Sequence, residues 1–172
     1  MDQQALLLVD DEPSFLHGMR RSLRQEPYRI LMAKSGPEAL AMLKGQKIQV
    51  VVSDYRMPKM DGLSLLKRIR EAHPLVILIM LTGYAEVGVL LQAINEVDLF
   101  KFLLKPVRLD LLKRAVADAM KQAQFHESCL ASPAAGTRQM LSAELEKYYP
   151  GITHLPPRDK DGYYLFGSDS GS

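Results

Sequence analysis

Apolar positions along this chain fall into two alternating patterns. Short dense runs at 5–9, 29–33, 50–53, 76–81 and 101–104 read as strands, and Val50-Val51-Val52 and Val76-Ile77-Leu78-Ile79 are apolar enough to be covered on both faces. After each run the apolar residues recur at helical spacing, as in Phe15, Met19 and Leu23 or in Leu111, Ala115 and Ala119. This predicts helices at 14–25, 37–43, 63–72, 86–94 and 109–124, each turning one face to a sheet. Pro37 at a helix start and Pro74 after a helix end fit as punctuation. Five strand–helix repeats predict an α/β fold: a doubly wound, five-stranded parallel sheet with helices on both faces.

The alternation stops after Gln124. Small, polar and proline-containing residues at 128–136 mark a linker, placed at 125–136, and 137–172 then form a short C-terminal extension. A helix at 137–147 would put Leu141, Leu145 and Tyr148 on one face, and Asp161-Gly162 precedes Tyr163-Tyr164-Leu165-Phe166, which reads as a small strand. Residues 167–172 read as unstructured. Charge marks the same boundary: residues 1–124 carry 18 basic and 14 acidic side chains, a net +4, and residues 125–172 carry 4 and 6, a net −2.

Composition narrows the class of protein. With 47% hydrophobic and 24% charged residues and a formal net charge of +2, the 172 residues are neither disordered nor a polycationic nucleic-acid binder. The longest apolar run, 75–81, is far short of the roughly 18 residues that span a bilayer. Met1-Asp2-Gln3-Gln4 lacks the basic start of a secretory signal, and Cys129 has no second cysteine to pair with, so a cytoplasmic location is expected.

The chemistry gathers at the carboxyl ends of the predicted strands, where open parallel sheets bind ligands. Asp10, Asp11 and Glu12 follow the first strand, Asp54 the third, Thr82 the fourth and Lys105-Pro106 the fifth. With the first and third strands adjacent, Asp10, Asp11 and Asp54 converge, and crowded carboxylates stay ionised only with a cation among them. Magnesium suits such oxygen ligands and accepts phosphate oxygens in its remaining positions.

These residues carry a family likeness. The Asp10-Asp11 pair, the stretch DYRMPKMDG at 54–62, Leu81-Thr82-Gly83 and FKFLLKP at 100–106 resemble the receiver domain of two-component response regulators, over residues 4 to about 124. The resemblance implies a flavodoxin-like sheet of order 2-1-3-4-5, with Asp54 as phosphoacceptor and a histidine kinase or phosphotransfer protein as phosphoryl donor. It further implies Mg2+ held by Asp10, Asp11, Asp54 and the Arg56 carbonyl, with Thr82 and Lys105 contacting the phosphoryl group and Phe102 as switch aromatic. The Lys105–Pro106 bond is typically cis in such domains. The output would be a changed surface over the fourth helix, fifth strand and fifth helix, meeting a downstream protein or a second copy in a homodimer. Such a domain is a signalling protein that catalyses only its own phosphotransfer and dephosphorylation.

Other readings compete with these. A degenerate receiver acting as a constitutive interaction module is the alternative function, although every acceptor-site residue is present. An aspartyl-phosphate phosphatase would need a second acid where Arg56 stands. Gly62 reads as a tight-loop glycine at positive φ. The resemblance also implies that Arg56 and Tyr84, two residues after Asp54 and Thr82, border the route of the hydrolytic water, so their bulk predicts a long-lived acyl phosphate. Arg20, Arg21 and Arg24 read as a solvated helix face, with kinase docking as the alternative. The extension, with five of the twelve aromatics, is left open between packing on the receiver, dimerisation and partner binding; with a net −2 over residues 125–172, this tail is not expected to bind DNA directly.

Overall fold

A computed structural model of the chain describes residues 3–83 and 97–131, with side chains through Ser128. Five strands, β1 (Ala5–Val9), β2 (Arg29–Ala33), β3 (Val50–Asp54), β4 (Ile77–Thr82) and β5 (Lys101–Leu104), form one sheet. All pairings are parallel and the order is β2-β1-β3-β4-β5, as expected. The helices are α1 (Pro13–Ser22), α2 (Gly36–Gly45), α3 (Gly62–Ala72) and α4 (Leu109–Ala131). The predicted helix at 86–94, and the helix and strand predicted within 137–172, lie outside the described residues.

Strand alternation divides the core into two layers. Leu7, Val51, Leu78 and Met80 pack toward Leu43, Leu65 and Ile69 of α2 and α3. Their neighbours Leu6, Leu8, Val50, Val52, Ile79 and Leu81 pack toward Leu16 and Met19 of α1 and Leu112, Val116 and Met120 of α4. β1, β3 and β4 are therefore buried on both faces, which is why their sequences do not alternate with polar residues. Fully burying each such aliphatic side chain contributes about 1.5–3 kcal/mol. Arg29 and Lys101 open the two outer strands, β2 and β5, and both are exposed.

Helix boundaries follow local chemistry. α2 begins at Gly36 because the Ser35 hydroxyl accepts from the Glu38 N–H at 3.3 Å while the Glu38 carboxylate accepts from the Lys34 N–H at 2.7 Å. The Asp61 carboxylate caps α3 by accepting from the Ser64 N–H at 2.7 Å. Two expected ends move. α1 stops at Ser22 rather than residue 25, where three-residue turns from Arg24 to Arg21 and from Glu26 to Leu23 replace the helical bonds ahead of Pro27. α4 runs on to Ala131, so 125–131, expected as the start of a linker, are helical. No glycine or proline interrupts the chain from Leu109 to Ala131, and Pro133 is the first breaker beyond it. Among the described residues no helix is long and apolar enough to cross a membrane.

Candidate functional site

In the order β2-β1-β3-β4-β5, the chain turns to opposite sides after β1 and after β3, leaving a crevice at their carboxyl ends. Asp10 follows β1 and Asp54 is the last residue of β3; they are 1% and 6% exposed. The Glu12 N–H donates to Asp10 Oδ1 at 2.8 Å, which orients that carboxylate at the start of α1. Lys105, directly after β5, is anchored by its own N–H donating to the Thr82 carbonyl at 2.8 Å. Its Nζ reaches Asp54 Oδ1 at 2.9 Å and Asp10 Oδ2 at 3.0 Å. The Lys105–Pro106 peptide is cis. Asp11 is exposed, and one oxygen from each of Asp10, Asp11 and Asp54 lies within 4.8 Å of the others.

Three carboxylates and one ammonium leave an excess of negative charge in a largely desolvated crevice. Burial pushes the Asp54 carboxyl above its ordinary range; Lys105 pulls it down, Asp10 pushes it further up, and the net shift is upward. For Lys105 burial acts downward, but hydrogen bonds and attraction from Asp54 and Asp10 outweigh it and raise the ammonium's pKa. The donor set fits a hard divalent cation: it is all carboxylate oxygen, converges within one small volume, and bears charge that one lysine does not neutralise.

The other expected site residues are placed less directly. Thr82 ends β4 with no exposed surface; its hydroxyl donates to the Gly83 carbonyl at 3.4 Å, and no hydrogen bond among the described residues joins it to Asp54. Phe102 sits on the edge strand β5 with 38% of its surface exposed, so its ring is not packed into the core beneath Thr82. Arg56 lies on the loop just past β3 with an exposed side chain, and Tyr84 lies outside the described residues. The expectation for Gly62 needs correcting. Positive φ in this loop belongs to Lys59, at 69°, whereas Gly62 is required because a Cβ there would stand 2.0 Å from the Asp54 carbonyl oxygen.

A family model for the response regulator receiver domain matches residues 6–117. The chain belongs to that family. The receiver is 38% identical over 117 residues to the transcriptional regulatory protein GlrR of Escherichia coli, an alignment covering 68% of this chain and 26% of GlrR. It is 32% identical over 128 residues to the DNA-binding transcriptional regulator NtrC of Salmonella typhimurium, covering 72% of this chain and 27% of NtrC. The chain thus spans about a quarter of the length of these curated relatives. Among solved structures it resembles a response regulator receiver domain protein from Clostridium thermocellum, with a TM-score of 0.66 and 29% identity over 70% of this chain and 97% of that one. The names of GlrR and NtrC stand in tension with the expectation that no direct DNA contact is involved.

One neighbour of the site carried no functional signal in the sequence. Phe15, in the first turn of α1, presents its ring 4.5 Å from Lys105 Nζ. Its spacing with Met19 and Leu23 marks it only as core-facing. The signal that would have found it is its place one helical turn after Asp11, beside the residues that hold the lysine.

Proposed function

We propose that this receiver takes a phosphoryl group from a phosphohistidine of a histidine kinase or phosphotransfer protein onto Asp54 and thereby switches a protein-binding or dimerisation surface. The observation that carries this reading is the Lys105 ammonium held 2.9 Å from a buried Asp54 carboxylate at the sheet's switch point. A carboxylate oxygen of Asp54 attacks phosphorus and forms an O–P bond. The P–N bond breaks with its electron pair passing to the ring nitrogen, so a protonated phosphohistidine ring leaves as neutral imidazole. Lys105 stands beside the phosphoryl oxygens and offsets their charge, and Thr82 supplies a hydroxyl once the group is in place. Asp10, Asp11, Asp54 and the Arg56 carbonyl would hold Mg2+, which when bound adds positive charge at the transferring oxygens.

Phe102, already exposed on β5, would follow Thr82 inward and remodel the surface formed by β5, α4 and the segment between β4 and β5. Residues 1–124 form the receiver, 125–136 the connecting segment, helical as far as Ala131, and 137–172 the extension; the net −2 of residues 125–172 does not suit a phosphate backbone. The cytoplasm is the proposed compartment.

Incubation of the full chain with Mg2+ and acetyl phosphate tests the chemistry. A mass gain of one phosphoryl group, absent in Asp54→Ala, is the expected result. No uptake by the wild-type chain overturns the reading in favour of a constitutive interaction module. A mobility-shift assay with duplex DNA separately tests the expectation of no DNA contact.

A further inference from the structure

The two carboxylates that hold Lys105 do not hold it alone. Its Nζ also lies over the face of Phe15, 4.5 Å from the ring centre. Phe15 is half-buried, and Gly18, Met19, Val107, Leu109 and Leu112 line the groove beside it. An aromatic face attracts an ammonium through the ring's quadrupole and, unlike a carboxylate, engages none of its three N–H donors in a conventional hydrogen bond.

We propose that Phe15 is a positioning residue for phosphoryl transfer: its ring keeps the Lys105 ammonium over the Asp54 carboxylate while leaving the N–H donors free to follow phosphoryl oxygens. This rests on the function proposed above. The physical need comes from the other two partners. Asp10 and Asp54 are both cation ligands in that function, so their oxygens are shared between the lysine and the metal, and Asp54 Oδ is also the atom that reacts. Phe15 is neutral and has no lone pair for a metal, so its hold on the lysine does not change as the site fills. A lysine has a long flexible stem, and 30% of the Lys105 side-chain surface is exposed. An anchor indifferent to the state of the carboxylates keeps the stem from swinging into solvent when they turn to other partners.

The test uses the full chain with Mg2+ and acetyl phosphate, a small donor that takes partner docking out of the measurement. Phe15→Leu keeps an apolar side chain at the position but has no π face; Phe15→Met does the same with an unbranched chain and stands in if the leucine variant fails to fold. Phosphoryl uptake should slow about three- to tenfold in either variant, the range expected for a partly solvated cation–π contact. Phe15→Tyr should stay within about twofold of wild type. In a Lys105→Met background, Phe15→Leu should cause no further slowing.

A second readout needs no turnover: in the metal-free protein the Lys105 Hε resonances should carry an upfield ring-current shift that disappears in Phe15→Leu and persists in Phe15→Tyr. Uptake by Phe15→Leu at the wild-type rate overturns the proposal, as does slowing that survives undiminished in the Lys105→Met background or that Phe15→Tyr shares. Absence of uptake by the wild-type chain overturns the parent function and this role together, and the ring-current shift then reports the contact as purely structural.

Discussion

Gly62 joins fold and site through a single absent atom. It opens α3 with its backbone pressed on the end of β3, so a Cβ there would stand 2.0 Å from the Asp54 carbonyl oxygen, 2.9 Å from the Asp54 carbonyl carbon and 3.0 Å from Tyr55 Cα. All three are backbone atoms, and no change of rotamer moves them aside. The Gly62 N–H also donates to the Tyr55 carbonyl at 2.8 Å, a bond that any retreat of the helix would stretch. Forced overpacking costs about 1–3 kcal/mol, and weakening the hydrogen bond about 1 kcal/mol more. The better helix propensity of alanine returns up to about 1 kcal/mol, so Gly62→Ala should destabilise the domain by about 2 kcal/mol.

Two controls bracket that value. Gly18, in the middle of α1, has open space around its Cβ direction, so Gly18→Ala should stabilise by about 0.5–1 kcal/mol. A Cβ on Gly36 would meet Met60 Sδ at 2.6 Å, but that atom ends a flexible side chain, so Gly36→Ala should fall between the two. With urea m-values of about 1–3 kcal/mol/M, the Gly62→Ala unfolding midpoint should drop by about 1 M and that of Gly18→Ala should rise by a few tenths. Because the displaced backbone carries the Asp54 carboxylate, phosphoryl uptake should fall with it. A Gly62→Ala midpoint at or above wild type would refute the close-approach reading.

Two further outcomes follow from the site's electrostatics and the helix caps. In metal-free buffer, folding raises the Asp54 pKa above its ordinary 3.8, so the folded state binds the proton more tightly than the unfolded one. Its contribution to stability is therefore greatest at low pH and is lost as pH rises through the folded-state titration. Asp54→Asn removes that loss: its stability advantage over wild type, read from urea midpoints across pH, should grow with rising pH to a plateau and shrink when Mg2+ is added. An advantage that falls with pH contradicts the assignment. Asp61→Ala deprives the Ser64 N–H of its 2.7 Å acceptor and should cost about 1 kcal/mol by the same assay, with the change confined to α3 by amide exchange.

How far such features were legible beforehand depends on the range of the interaction responsible. Strand and helix types follow from apolar periodicity, and the crevice acids follow from strand ends; both are read within a few residues of one another. The juxtaposition of Asp10, Asp54 and Lys105 needed the strand order, which the family likeness supplied and periodicity could not. Three features escaped, the first two because they are tertiary. Phe15 looks like any core-facing aromatic until Lys105 arrives over its ring. Gly62 was expected at positive φ, but the constraint is the Asp54 carbonyl pressed against it, and Lys59 and Asp98 take the positive φ values instead. The reach of α4 to Ala131 was hidden by the polar composition that begins at 128, although the breaker itself stands at Pro133.

Under the proposed function, the magnitudes also constrain the switch. Phosphorylation takes Asp54 from a charge of −1 to about −2 in a site that already holds three carboxylates and one ammonium, so added charge alone discriminates poorly between two conformations. Discrimination has to come from contacts made in one state only. Lys105 is a weak contributor, because it already bonds Asp54 at 2.9 Å and Asp10 at 3.0 Å and would exchange oxygen acceptors rather than gain them. Thr82 is different. Among the described residues its hydroxyl has only a long 3.4 Å bond to the Gly83 carbonyl, and replacing this with a charged phosphoryl acceptor gains about 1.5–3 kcal/mol. That corresponds to a shift of roughly 10- to 150-fold, whereas turning a 1:99 population into 99:1 requires about 10⁴-fold. A hundredfold shift carries an equilibrium from about 1:10 to about 10:1. On that function a Thr82 contact alone would give a near-complete switch only from a resting population of about one in ten, and Thr82, more than Lys105, would determine how far the phosphoryl group moves it.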